Sequence, residues 1–125
     1  MENLIENFKE SPMKTINLRN REFVTDQNFF IIERIGGMGK WYIWQPTFKT
    51  IEQAQHYMNN WVNCINDFFV NHAFAPHIEV ERDANVPNAF YHGYKEIRIV
   101  SPIELGITFN LNNSNIYHWA FKCTN

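Results

Sequence analysis

Hydrophobic and polar positions alternate in two different rhythms along this chain, and the change of rhythm divides it into elements. Leu4, Ile5 and Phe8 sit at helical spacing before Pro12, which predicts at most a short, marginal N-terminal helix. Thr15, Ile16 and Leu18 read as strand, broken by Arg19-Asn20-Arg21; Phe23-Val24 is a second short strand and Asp26-Gln27-Asn28 a turn. Residues 29–35 form a stronger strand, with Phe29, Ile31 and Ile35 on one face and Phe30 and Ile32 on the other. Gly36-Gly37-Met38-Gly39 supplies a hairpin turn, Trp41 to Trp44 the return strand, and Gln45-Pro46 its close. Large apolar residues on both faces require cover on both sides, or make one face an interaction surface.

From Ile51 the period becomes helical. Ile51, Ala54, Met58, Trp61, Ile65, Phe68 and His72 follow one another at spacings of 3 and 4, widened by Tyr57, Val62 and Phe69, while Glu52, Gln55, His56, Asn59, Asn60, Asn63, Asn66 and Asp67 fill mostly the opposite side. Thr50 and Gln53 make a capping box, and Ala75-Pro76 marks the end. The spacing predicts an amphipathic helix over about residues 50–72, roughly 33 Å long. Beyond it the period returns to two. Ile78 and Val80 alternate with His77, Glu79 and Glu81; residues 83–94 read as a long irregular segment; residues 95–101 are a strand with Ile97 and Ile99 inward. Ile103, Leu105, Ile107, Phe109 and Leu111 alternate with polar residues and read as a half-buried strand, and residues 116–122 as a last one. Short turns after 35, 101 and 111 imply antiparallel neighbours. The expected architecture is α+β: an antiparallel sheet of about five to seven strands with the one long helix packed on a face.

Length changes this picture little: 125 residues make a single domain, 1–125, with residues 1–12 a short helical or flexible arm and Met13 an alternative start. An apolar share of 45% suffices for one core, which excludes disorder as the default state. A net charge of -2 excludes a strongly cationic binder of nucleic acid or membrane. No apolar run spans a bilayer and no secretory leader is recognisable, so the cytoplasm is the expected compartment. A cytoplasmic setting leaves Cys64 and Cys123 as expected free thiols. The 17 asparagines, against 4 glutamines, suit turns and caps but also follow an AT-rich genome, and the second explanation is given more weight.

No catalytic constellation emerges from local spacing. Gly36-Gly37-Met38-Gly39-Lys40 resembles a phosphate loop only superficially, since Trp41 stands where Ser or Thr is needed and a strand follows. His77, Glu79 and Glu81 share a strand face, but same-face neighbours roughly 7 Å apart do not share an ion unaided, so no metal and no cofactor are expected. Cys64 has no histidine in a recognisable motif, and Ser11, Ser101 and Ser114 sit in turns. Arg19, Arg21, Arg34 and Lys40 near Trp41, Tyr42 and Trp44 would suit an RNA-binding sheet, were Glu22, Asp26 and Glu33 not interspersed.

The richest segment is 83–94, with Phe90, Tyr91, His92 and Tyr94 close together; these residues and Trp44 are the expected contacts to a protein partner. A small chain without a catalytic signature and with an aromatic surplus reads as a non-enzymatic, stoichiometric inhibitor. It is expected to be a bacterial immunity (antitoxin-type) protein that blocks a cognate toxin, or a phage inhibitor of host defence. The alternatives are a small-molecule binder or small enzyme with a pocket between helix and sheet, using His118 or His72, and an RNA-binding sheet.

Overall fold

The structure, a computed structural model, describes residues 12–18, 21–36, 40–71, 79–111 and 118–119. The expected short helix at 2–10 lies outside them, as do the side chains of His72, His77 and His118. The described elements are β1 (Lys14–Leu18), β2 (Arg21–Thr25), β3 (Phe29–Ile35), β4 (Tyr42–Phe48), α1 (Ile51–Asn71), β5 (Val80–Arg82), β6 (Ala89–His92), β7 (Lys95–Val100), α2 (Pro102–Leu111) and β8 (His118–Trp119). Strands β5-β6-β7-β3-β4-β8 form one sheet, and β1 and β2 a separate hairpin. The class is α+β, with α1 packed on one sheet face.

β3 is the centre of the sheet, antiparallel to β4 on one side and to β7 on the other. Its two faces feed two cores. On one, Ile31 joins Trp44, Phe90, Ile97 and Ile99 beneath Ala54, Met58 and Trp61 of α1. On the other, Phe30, Ile32, Ile43 and Val100 lie beneath Ile16 and Leu18 of the β1–β2 hairpin and Leu105 and Phe109 of α2. The sheet is therefore covered on both sides, which answers the two-faced apolar pattern of residues 29–44.

The capping box of α1 forms: Gln53 N donates to Thr50 Oγ1 at 3.2 Å, and Thr50 N to Gln53 Oε1 at 3.3 Å. Asparagines counted above as composition prove structural. Asn66 Oδ1 accepts from Val80 N at 3.0 Å, and Asn59 Oδ1 accepts from Arg82 Nη2, which ties α1 to the edge strand β5. Asn110 Nδ2 donates to Asn17 O at 2.9 Å, tying α2 to β1.

Four expectations need correction. Residues 102–111 are a helix, not a strand: Leu105 and Phe109 are buried four apart, while Ile103 and Ile107 are 76% and 54% exposed. Ser101 N donates to Glu104 Oε1 at 3.0 Å and Glu104 N to Ser101 Oγ at 3.3 Å, a capping box with Pro102 in the first helical position. Residues 83–94 are not wholly irregular, because Ala89–His92 is β6. β4 runs through Gln45-Pro46, where the β3–β4 register shifts and the irregularity accommodates proline. β8 pairs parallel with β4, Ile43 opposite His118, so the chain does not return to the element just before it.

Candidate partner-binding site

The sheet end formed by the β6–β7 turn concentrates exposed functional groups. His92 pairs with Lys95, leaving Gly93 and Tyr94 as a two-residue turn. Gly93 has φ 62°, which glycine adopts without the steric cost of a side chain and which suits the first central position of a type II′ turn. The turn is braced by the residue that follows β3: Gly36 N donates to Tyr94 O at 2.6 Å. A Cβ on Gly36 would lie 3.0 Å from that same oxygen, so the close approach favours glycine. Tyr94 thus has a fixed backbone while its side chain is 88% exposed; Ile35, opposite Lys95 on β3, is 47% exposed.

The five expected contact residues divide among three environments. Phe90 and Trp44 are buried in the core under α1, Trp44 edge-to-face with Trp61 at 5.3 Å and Phe90 under the Arg82 guanidinium at 5.0 Å. Burial leaves these two no surface to offer a partner. Tyr91 and His92 are half-buried on opposite sheet faces. The His92 ring meets Trp61 edge-on at 6.0 Å. Tyr91 Oη donates to Asp83 Oδ2 at 2.9 Å, and Asp83 Oδ1 accepts from Asn85 N and Val86 N at 2.8 and 3.1 Å. Those backbone N–H bonds, with Tyr91, hold the Asp83 carboxyl below its ordinary range, and the hydrogen bond to Asp83 raises the Tyr91 phenol. Only Tyr94 is fully presented to solvent.

Beside this turn, on the sheet face opposite α1, a polar row crosses three strands: Tyr91 on β6 opposite Glu96 on β7, and Glu96 opposite Arg34 on β3. Glu96 is buried and takes Arg34 Nε on Oε1 at 2.9 Å and Arg98 Nε on Oε2 at 2.6 Å. The Arg34 guanidinium lies over the Trp41 ring at 4.6 Å. Glu96 and Arg98 alternate with Ile97 and Ile99 and could be placed on the outward face from sequence. Their meeting with Arg34, 62 residues away from Glu96, could not.

On the face toward α1, Glu33 is a buried carboxylate opposite Ile97 and Tyr42. Burial raises its pKa, with Lys95 and the Trp44 indole opposing the rise. Among the described residues no group of three His, Cys, Asp or Glu stands where it would hold a metal ion; Glu79 and Glu81 are simply exposed. Ser101 is occupied as a helix cap. Cys64 is half-buried on α1 and disulfide-bonded, which corrects the expectation of a free thiol. The chain has one other cysteine, Cys123, outside the described residues. Sequence separation carries no information on whether two thiols approach in space.

Comparison of the chain with family models, with curated proteins and with solved structures yields no match.

Proposed function

We propose that this chain is a stoichiometric protein-binding inhibitor, of the immunity (antitoxin) type or a phage inhibitor of host defence, acting without turnover. The observation that supports the reading is Tyr94: a large aromatic, 88% exposed, on a turn whose backbone is fixed by glycine geometry and a hydrogen bond from Gly36. With the backbone already fixed, only the side-chain rotamers of Tyr94 remain to be ordered on binding, and aromatic residues of this kind dominate binding hot spots. Ile35 extends the apolar contact, and His92 and Tyr91 flank it.

The test is affinity purification with wild type and Tyr94→Ala in parallel, with native mass spectrometry of what is recovered. Wild type is expected to hold a partner one to one. The Tyr94→Ala variant is expected to bind it at least about 2 kcal/mol, roughly thirtyfold, more weakly at unchanged thermal stability. Full biological effect from substoichiometric protein would sink the reading, because a blocker cannot act repeatedly.

A second reading, a small-molecule binder or small enzyme with its site between helix and sheet, draws on Glu33, a buried carboxylate with raised pKa under α1. The RNA reading has less support, since Trp41 and Trp44 are buried and neither can stack a base.

A further inference from the structure

We propose that Arg34 and Arg98 form a two-guanidinium site for a carboxylate, supplied by an acidic side chain of the bound protein; this rests on the partner-binding reading above and names the chemistry of the partner's surface. Glu96 sets the geometry. Its Oε1 accepts from Arg34 Nε at 2.9 Å and its Oε2 from Arg98 Nε at 2.6 Å, with Arg98 Nη2 in ion-pair contact with Oε2 at 2.5 Å. The carboxylate is buried between them, and the Trp41 ring supports Arg34 from beneath. Both forks are therefore fixed before any ligand arrives, which removes most of the ordering cost that long cationic side chains meet on binding.

The forks are not used up. Nη1 and Nη2 of Arg34 and Nη1 of Arg98 make no hydrogen bond to any described residue, and the two side chains remain 28% and 38% exposed. Two cations against the one carboxylate they ion-pair with leave positive charge in surplus at the triad, reduced from the Arg98 side by the Asp83 carboxylate. Asp83 lies near enough to act on Arg98, but its oxygens already accept from Asn85, Val86 and Tyr91. A monoanionic carboxylate matches that surplus and the bidentate geometry of a guanidinium edge. A phosphate dianion would overfill it and face Glu96 and Asp83. In the register, Arg34–Glu96 is the row adjoining Ile35–Lys95 beside the Tyr94 turn; the two rows face opposite sides of the sheet, so a partner that engages both wraps the sheet end.

The experiment is an NMR titration of the full chain, following the arginine Nε–H signals. The probes are an end-capped tetraglutamate peptide, the matching tetraglutamine peptide, and inorganic phosphate. With tetraglutamate, saturable shifts are expected at Arg34 and Arg98, with a dissociation constant on the order of 1 mM. Arg98→Gln should weaken this at least about tenfold and Arg98→Lys by a smaller factor, since lysine keeps the charge and loses the fork. Arg98→Lys also decides the matter if Arg98→Gln does not fold. An equal response to tetraglutamine, shifts spread over all cationic side chains, or phosphate binding as tightly at the two arginines would each overturn the proposal. Tyr94→Ala should leave the peptide response intact, so loss of the partner-binding reading and loss of the arginine site are separately visible.

Discussion

Trp61 shows how one side chain can be both a structural centre and a boundary. It is buried against Trp44 and also meets His92, one residue from the exposed turn. Replacing it with alanine removes most of a large aromatic from the core and leaves a cavity beside Trp44. Trp61→Ala is expected to lower stability by about 3 to 5 kcal/mol in denaturant unfolding, a large fraction of what a domain of this size has. Glu33 makes a prediction of opposite character. Burial raises its folded pKa above the ordinary 4.5, so between the unfolded and folded values the folded state binds more of this proton than the unfolded state does. Stability from this group falls as pH rises from the unfolded value through the folded one. Glu33→Gln cannot ionise, so the variant's stability relative to wild type should increase over that rise. A difference that stays flat between pH 4 and 8 would show that Glu33 is not held in its neutral form. Asp83 acts in the other direction: its depressed pKa contributes stability above the ordinary value of 3.8 that is lost as pH falls.

At the scale of elements, the two helices show what a hydrophobic pattern can and cannot say. α1 was legible because its stripe keeps the 3-and-4 spacing over many residues and its Thr50–Gln53 box is intact. α2 was not, because Ile103, Leu105, Ile107 and Phe109 give the period of two that a strand gives. A helix splits that series into two i, i+4 pairs, one buried and one exposed. Ser101, Pro102 and Glu104 carried the correct signal, a capping box with proline at the first turn, yet the apolar alternation is louder. Ser101→Ala is therefore expected to cost about 1 kcal/mol, read by thermal or denaturant unfolding. Ile103→Lys and Ile107→Lys should each stay within about 0.5 kcal/mol of wild type, as exposed helical positions do. The same limit applies to the site. Aromatic density drew attention to the segment that contains Tyr94, but inside β6 it could not separate Phe90, which faces the core, from Tyr91 on the other face. Arg34 and Arg98 lie in strands whose pairing no local pattern reveals.

For the molecule as a whole, the disulfide at Cys64 predicts that reductant lowers the melting temperature, in keeping with the roughly 2 to 4 kcal/mol such bonds contribute. A melting curve indifferent to reductant would return that cysteine to the free state that composition suggested. The position of β3 has a consequence of its own. One neighbour, β4, follows it directly, whereas the other, β7, begins 60 residues after the paired Ile35, at Lys95. A ribosome adding about 5 to 20 residues per second therefore releases Phe30, Ile31 and Ile32 several seconds before the strand that covers their second edge exists. Until then the nascent chain carries an apolar, half-paired ribbon, the kind of edge that recruits other chains. Refolding of the full chain should be slow for its size, in the range of milliseconds to seconds, because distant pairing must precede closure of the sheet. In the cell, the yield of this protein would then depend less on how stable its finished form is than on how well that unfinished edge is sheltered during synthesis.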